Sequence, residues 1–296
     1  MERKTAADFD QELLVLFDAY VHGAIDRRGF LDKATRFAVG GVTAAMLLDQ
    51  LSPKFAEAQV ISPDDKRLRT ERVSYPSPQG SEKTSGYLVR PATATGRLPG
   101  VLVVHENRGL NPHIEDIARR LALEGFMSFA PDALAPLGGY PGSEDEARAL
   151  FQKLEAPQTA ADMLAAAQYL KNHKECTGKV GVVGFCWGGG VAHTLATRMP
   201  DLAAAVPFYG TSPEPAEASK VKAPLLVHLA ETDERINARW PAYAAALKEA
   251  KVPHEAHTYP GTQHGFNNDT TPRFDEAAAK LAWQRTVEFF RKHLGA

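Results

Sequence analysis

The stretch at residues 179–199 constrains this chain more than any other part of its sequence. Residues 180–183, VGVV, form a short β-branched apolar run that predicts a strand buried on both faces. Residues 184–188, GFCWG, follow directly and lead into a helix-compatible segment. The pattern G-x-nucleophile-x-G is typical of a sharp turn between a strand and a helix that exposes a catalytic side chain. We therefore interpret Cys186 as a nucleophile, the alternative being a glycine-rich turn around an inert buried cysteine.

Strand-like and helix-like segments alternate along the rest of the chain. This alternation predicts an α/β fold with a mainly parallel, doubly wound sheet of about eight strands and helices on both faces. We expect a catalytic domain over residues 60–296, preceded by a separate segment over residues 1–59. The predicted strands are residues 69–75, 84–90, 101–104, 126–130, 180–183, 203–208, 224–229 and 255–259.

The composition is that of a globular protein without a nucleic-acid partner. The 34 Lys and Arg residues are balanced by 36 Asp and Glu residues, and there is no basic stripe. Two cysteines cannot form a disulfide framework, and a bridge between Cys176 and Cys186 would consume the nucleophile. The sequence does not decide whether the chain forms a homo-oligomer.

The first 59 residues differ in character from the rest. Apolar residues recur at helical spacing over residues 8–22, which predicts an amphipathic helix. Residues 26–33, DRRGFLDK, then resemble a twin-arginine export motif, and an apolar stretch at residues 37–48 is too short for stable membrane insertion. Residues 56–58, AEA, offer a small-x-small cleavage site.

These features predict export to the periplasm and cleavage ahead of Gln59. The alternative is a cytoplasmic protein that retains the segment as helices packed on the catalytic domain or on a second subunit. The long leader before the two arginines favours retention.

Two further residues follow predicted strands in the chain order nucleophile, acid, histidine. Asp233 comes after the strand at residues 224–229, and His264 after the strand at residues 255–259. Functional groups of open parallel sheets lie beyond the carboxyl ends of the strands, so we expect both side chains near Cys186. His264 would accept the thiol proton and Asp233 would orient the imidazole. Glu231 and Glu234 are alternatives for the acid.

Acyl transfer also needs donors for a developing oxyanion. We assign one to the backbone N–H of Trp187 and the other to Asn107, in the loop after the strand at residues 101–104. The indole of Trp187 would either line the substrate pocket or pack on the helix. No HExxH or paired CxxC motif is present, and we predict no metal ion or other cofactor.

Together, HENRGLNPHIEDIARRLA at residues 105–122, GFCWGGG at residues 184–190, Asp233 and GTQHGF at residues 261–266 resemble the dienelactone hydrolase family of α/β-hydrolases. The resemblance covers residues 67–294. It implies the α/β-hydrolase fold and cofactor-free hydrolysis of a small ester or lactone through an acyl-cysteine.

The resemblance also assigns Cys186, Asp233 and His264 to the triad and places Glu106 beside the cysteine in the resting enzyme. A carboxylate there would raise the pKa of the thiol and keep it protonated until substrate binds. The alternative is that Glu106 is an ordinary buried acid. The family has an arginine shortly after the catalytic histidine, and this chain lacks it: the first arginine after His264 is Arg273. Arg108 and Arg148 are the arginines that could bind substrate instead.

The sequence therefore predicts a cysteine hydrolase acting on a small ester or lactone. Competing interpretations are a general carboxylesterase, a thioesterase or an acyltransferase on the same fold, or a ligand-binding module without catalysis.

Overall fold

A single eight-stranded sheet lies at the centre of the computed structural model, which describes residues 4–295. The strand order is β1-β2-β4-β3-β5-β6-β7-β8, with β1 and β2 antiparallel to their neighbours and all pairs from β4 onward parallel. The strands are β1 (Leu68–Ser77), β2 (Glu82–Pro91), β3 (Leu98–Val104), β4 (Met127–Pro131), β5 (Cys176–Phe185), β6 (Ala204–Phe208), β7 (Leu225–Ala230) and β8 (His254–Tyr259). The predicted fold class is confirmed, and the first two strands form an antiparallel hairpin.

Helices cover both faces of this sheet. Side chains of α5 and α11 pack in one apolar cluster, and side chains of α7, α8 and α10 pack in another on the opposite face. The helices are α1 (Gln11–Val21), α2 (Arg27–Ala34), α3 (Ala44–Leu51), α4 (Phe55–Ala58), α5 (Pro112–Leu123), α6 (Glu144–Phe151), α7 (Ala156–Asn172), α8 (Trp187–Arg198), α9 (Glu234–Asn237), α10 (Trp240–Glu249) and α11 (Glu276–Leu294).

The alternation of side chains along the central strands explains why the sheet is covered twice. On β3, Val101 and Val103 belong to the cluster under α5 and α11, whereas Leu102 and Val104 belong to the other. Successive side chains of a strand point to opposite faces, so a continuous apolar run requires an apolar layer on each side.

Helices α1 to α4 form a segment with its own apolar cluster, and this segment docks on the catalytic domain. Helix α1 lies within the predicted residues 8–22, and its inner face is apolar as expected. The cluster contains Leu13, Leu14, Phe17, Tyr20, Phe30, Ala34, Ala44, Leu47, Leu48 and Leu51. We call α1 to α4 with their connections, residues 4–58, the N-terminal segment.

The residues that resemble an export motif are folded in this structure. Arg27 begins α2 and pairs with Asp145 of the catalytic domain at 2.9 Å. Part of the apolar stretch at residues 37–48 forms the start of α3. Among residues 4–295, none of the helices has both the length and the hydropathy needed to cross a membrane. Export remains a prediction.

The turn between β5 and α8 depends on glycines because three backbone segments meet there. A Cβ atom on Gly188 would overlap the carbonyl oxygen of Val104 and lie 2.6 Å from that of His105. One on Gly189 would lie 2.6 Å from the carbonyl oxygen of Phe208. These distances are well inside van der Waals contact, so the helix can approach β3 and β6 only without side chains at these positions.

The variant Gly188→Ala should therefore destabilise the protein by more than about 2 kcal/mol, because backbone atoms of a central strand cannot move aside. Thermal unfolding should show a midpoint lower by at least about 5 °C. Gly190→Ala is the matched control: its Cβ would lie 3.7 Å from the nearest atom, an ordinary contact. Equal midpoints for the two variants would contradict the close-approach argument.

Candidate active site

Cys186 occupies the turn between β5 and α8 in a backbone conformation that L-residues rarely adopt. Its φ is 55° and its ψ is −113°. The surrounding backbone holds this conformation: Cys186 N–H donates to the Phe208 carbonyl at 3.0 Å, and the Cys186 carbonyl accepts from Gly189 N–H at 3.0 Å. Strain of this kind persists where neighbouring structure enforces it, typically at functional sites. The thiol is held just above the carboxyl end of β5.

His264 and Asp233 reach the same edge of the sheet from the loops after β8 and β7. His264 Nδ1 donates to Asp233 Oδ2 at 2.5 Å, and both side chains are buried. A carboxylate only accepts hydrogen bonds, so this contact places a proton on Nδ1 and turns Nε2 towards the cysteine. A ring nitrogen of His264 lies within 4.8 Å of Cys186 Sγ, and Nε2 has no hydrogen-bond partner among residues 4–295. The structure thus brings together the three residues predicted for the triad.

The two alternative acids lie elsewhere. Glu231 accepts a hydrogen bond from Gly261 N–H at 2.8 Å, and Glu234 is exposed in the first turn of α9. Asp233 also caps α9 by accepting from Ile236 N–H at 3.4 Å. The carboxylate is therefore fixed by α9 while it holds the imidazole.

A residue that the sequence analysis missed lies against the sulfur. His22, just after α1, places Nε2 3.5 Å from Cys186 Sγ. Its ring meets the His264 ring edge to face, with 4.8 Å between centroids. Its Nδ1 lies 3.2 Å from Asp18 Oδ2, and Asp18 in turn pairs with Arg273 at 3.0 Å. Cys186 therefore has a histidine–aspartate pair on each of two sides.

Glu106, which the family resemblance places beside the cysteine, has a hydrogen-bond partner elsewhere. The Oε2 atom of Glu106 accepts a hydrogen bond from Asn268 Nδ2 at 2.8 Å. The side chain within hydrogen-bond distance of the Cys186 sulfur is His22. A role for Glu106 at the thiol remains a prediction, and in the described structure no contact supports it.

The two predicted oxyanion donors differ in their availability. Trp187 is the first residue of α8, where a backbone N–H has no acceptor within the helix. Its indole stacks on His105 and lines the cavity beside Cys186. The side-chain amide of Asn107 donates to the Val21 carbonyl at 2.9 Å, which leaves its backbone N–H as the group that could serve an oxyanion.

The arginines considered for substrate binding all contact the N-terminal segment. Arg108 donates to the Val21 carbonyl at 3.1 Å, and Arg148 donates to the Tyr20 carbonyl at 2.9 Å. Arg273 pairs with Asp18. Two arginines not predicted from sequence, Arg198 and Arg235, line the cavity next to Cys186 instead.

This cavity has a volume of about 690 Å³ and opens beside Cys186, His22 and His264. Tyr209 also lines it: its φ is 37°, and its buried hydroxyl has no hydrogen-bond partner among the described residues. One wall is apolar and consists of Phe151, Leu154, Met163, Trp187, Val191 and Leu195. A cavity of this size and polarity fits a small, largely apolar molecule.

The electrostatics of the site favour a charged nucleophile. Burial opposes ionisation of Cys186, but the charge of His264 and the hydrogen bond from His22 outweigh it and lower the thiol pKa to about 6. Burial likewise opposes protonation of His264, yet the thiolate and Asp233 raise its pKa to about 10. Asp18 and Cys186 raise the pKa of His22 to about 9 against its burial. These directions favour a thiolate paired with imidazolium over a neutral thiol beside neutral imidazoles.

Among the described residues, only these three side chains come together in a group that could be compared with a metal site. Cys186 Sγ and the ring nitrogens of His22 and His264 lie within 4.8 Å of one another. A metal ion would need both imidazoles neutral, whereas the neighbouring charges raise the pKa of each histidine and favour its protonated form. The group is therefore better described as a cluster of ion pairs than as a metal site.

Iodoacetamide should alkylate Cys186 with a pH profile whose midpoint lies near the thiol pKa of about 6. The rate should fall as the pH drops through this value, because only the thiolate reacts. Mass spectrometry of the modified peptide measures the rate. Cys186→Ser is the control, since it leaves only Cys176, which is fully buried and whose pKa is raised by burial. A midpoint at the ordinary cysteine value of about 8.5 would contradict the ion-pair arrangement.

Comparison with known sequences and structures agrees with the fold. Residues 84–294 match the dienelactone hydrolase family, and residues 1–39 separately match a family described as YqhI-like. A candidate hydrolase fragment of Escherichia coli, YghX, is 48% identical over 114 residues, which are 38% of this chain and 97% of the fragment. A candidate carboxymethylenebutenolidase of Salmonella typhi is 34% identical over 233 residues, covering 74% of this chain and 86% of the relative.

The crystal structure of a candidate dienelactone hydrolase from Klebsiella pneumoniae superimposes with a TM-score of 0.66. The two chains are 30% identical, and the match covers 76% of this chain and 99% of the other. The eight-stranded sheet, the family match and these relatives agree. This chain belongs to the dienelactone hydrolase family of α/β-hydrolases.

Proposed function

We propose that the protein hydrolyses small carboxylic esters or lactones through an acyl-cysteine intermediate on Cys186. The observation that carries the proposal is the contact between His264 and Asp233, with the free Nε2 of His264 facing the sulfur at the mouth of an apolar cavity. This arrangement supplies a nucleophile, a proton carrier and an orienting carboxylate in their usual relation.

In the first half-reaction the thiolate attacks the carbonyl carbon of the substrate. The tetrahedral oxyanion would be stabilised by the backbone N–H of Trp187 and by an N–H of the loop after β3, each contributing on the order of 3 kcal/mol. The carbon–oxygen bond to the leaving group then breaks, and protonated His264 gives its Nε2 proton to the departing alkoxide. A lactone would yield an acyl-enzyme whose alcohol remains attached to the acyl chain.

In the second half-reaction neutral His264 takes a proton from a water molecule. The resulting hydroxide attacks the thioester carbon, and the carbon–sulfur bond breaks with its electron pair remaining on Cys186. Asp233 stabilises the imidazolium in both halves through its contact with Nδ1. The product is a carboxylic acid, which ionises in water.

The cavity supports a small acyl or alkyl group as substrate. Its apolar wall would hold hydrocarbon, while Arg198 and Arg235 on its lining could receive an acidic substituent. The arginines suggested by sequence are already engaged with the N-terminal segment, so they do not support binding of a substrate carboxylate.

A panel of fluorogenic esters, lactones and thioesters tests the proposal. Cys186→Ala should lower kcat by at least about 10³-fold, and Asp233→Asn by a factor of similar order, because the nucleophile or its oriented base is lost. The variant Cys176→Ala removes the other buried thiol. It should change kcat by less than about twofold, because a side chain remote from the reacting atoms does not affect the activation free energy.

The relative rates within the panel separate the ester and lactone hydrolase from a thioesterase. Added alcohols or amines that divert the acyl group would indicate an acyltransferase. Turnover that persists in Cys186→Ala would disprove the acyl-cysteine mechanism.

A further inference from the structure

We propose that His22 is a second catalytic histidine, which keeps its proton against the Cys186 sulfur while His264 carries protons to and from the substrate. The proposal rests on the hydrolytic function proposed above and adds a residue from outside the catalytic domain to its machinery. It assigns the N-terminal segment a chemical role as part of the active site.

The geometry around the sulfur carries this inference. His22 Nε2 lies 3.5 Å from Cys186 Sγ, within hydrogen-bond distance for sulfur. Asp18 lies behind Nδ1 of the same ring, as Asp233 lies behind Nδ1 of His264. His22 Nδ1 donates to the Asp18 backbone carbonyl at 2.9 Å, and the Asp18 carboxylate lies 3.2 Å from the same nitrogen. His264 Nδ1 donates to the Asp233 carboxylate instead. Either acceptor places a proton on Nδ1, so Nε2 is the nitrogen directed at the cysteine in both rings.

The backbone on either side of His22 is fixed by the catalytic domain. The Val21 carbonyl accepts hydrogen bonds from both Asn107 and Arg108, and the Tyr20 carbonyl accepts one from Arg148. Arg273 holds Asp18 at 3.0 Å. Three buried or half-buried arginines, Arg108, Arg148 and Arg273, thus position the end of α1.

The charged groups that face His22 come from four parts of the fold. Asp18 on α1 and the thiolate at the start of α8 favour its protonated form, whereas His264 opposes it. Arg235 of α9 also lies 3.4 Å from Nε2, but this arginine is exposed, so water screens its repulsion. Consistent with this balance, the pKa of His22 is raised to about 9.

The cavity shows that His22 does not block the site. The open volume of about 690 Å³ is lined by His22 together with Cys186, Trp187 and His264, with the N-terminal segment in place. The cavity next to Cys186 thus remains open while His22 is in contact with the sulfur.

The chemistry assigns different tasks to the two histidines. When the carbon–sulfur bond forms, the thiolate loses its charge to the new oxyanion, and His264 gives its proton to the leaving alkoxide. When hydroxide attacks the thioester, the carbon–sulfur bond breaks and the electron pair returns to sulfur. His22 remains protonated throughout and stabilises the thiolate as a leaving group. No proton passes through His22, so the reaction balances without it.

His22→Gln keeps a hydrogen-bond donor but removes the positive charge. We expect the alkylation midpoint of Cys186 to rise by about one pH unit, so that alkylation below the midpoint slows by about tenfold. The kcat for ester hydrolysis should fall by a similar factor, because the imidazolium of His22 no longer stabilises the departing thiolate. Asp18→Asn leaves the imidazole in place and should raise the midpoint by less, since it only weakens protonation of His22.

His257→Gln is the matched control, because His257 is a half-buried histidine on the edge strand β8. It should leave the midpoint and kcat unchanged. The thermal unfolding midpoint of each variant shows whether its chain is folded. If His22→Gln does not fold, Asp18→Asn still tests the proposal.

An unchanged alkylation midpoint in folded His22→Gln and Asp18→Asn would overturn the proposal. So would a higher kcat in His22→Gln, which would show that the histidine obstructs the site. Alkylation requires no substrate, so the role of His22 at the sulfur is measured even if the wild-type protein cleaves none of the esters. The two proposals can therefore fail separately.

Discussion

A negative charge on a buried sulfur is the constraint around which this protein is arranged. Cys186 is only 8% exposed, and an anion removed from water needs compensating charges close by. His264 and His22 supply them, but a buried imidazolium is itself costly unless an acid stands behind it. Asp233 and Asp18 fill that position. The candidate active site is thus a small network of alternating charges, and its innermost member is the residue that we propose as the nucleophile.

This network needs a rigid support, which the carboxyl edge of the sheet provides. Asn107, Cys186, Asp233 and His264 follow β3, β5, β7 and β8, so parallel strands deliver them to one edge. The helix after Cys186 lies so close to β3 and β6 that side chains are excluded at its first glycines. The strained backbone at Cys186 is held by this close packing.

Most of the catalytic domain could be predicted from local patterns. Apolar runs of four to eight residues gave the strands, and GFCWG marked the turn because few other structures need glycine at both positions. Asp233 and His264 could be placed near Cys186 because chain order and strand ends are linked in parallel sheets. Chain order did not decide between Asp233 and the neighbouring Glu231 and Glu234, because all three lie in the same loop region; of the three, only Asp233 contacts His264 in the structure.

His22 could not be found this way, since no local pattern links it to a cysteine 164 residues away. Its position depends on how the N-terminal segment docks, which is a matter of tertiary packing. The only hint was the long leader before Arg27 and Arg28, unusual for an export motif. The contacts of Glu106 and Arg108 could not be predicted for the same reason: Glu106 accepts a hydrogen bond from Asn268, and Arg108 donates to the docked segment.

The wide separation of these residues along the chain has a consequence for biosynthesis. Asp18 and His22 leave the ribosome first, Cys186 much later, and His264 and Arg273 close to the end. Until the last of these has emerged and the sheet has closed, neither imidazole can reach the sulfur. The nascent thiol then has the pKa of an ordinary cysteine and is mostly protonated at neutral pH, which makes it a poor target for oxidants and electrophiles. The thiol of Cys186 becomes reactive only when the N-terminal segment and the C-terminal loop that carries His264 have packed around it.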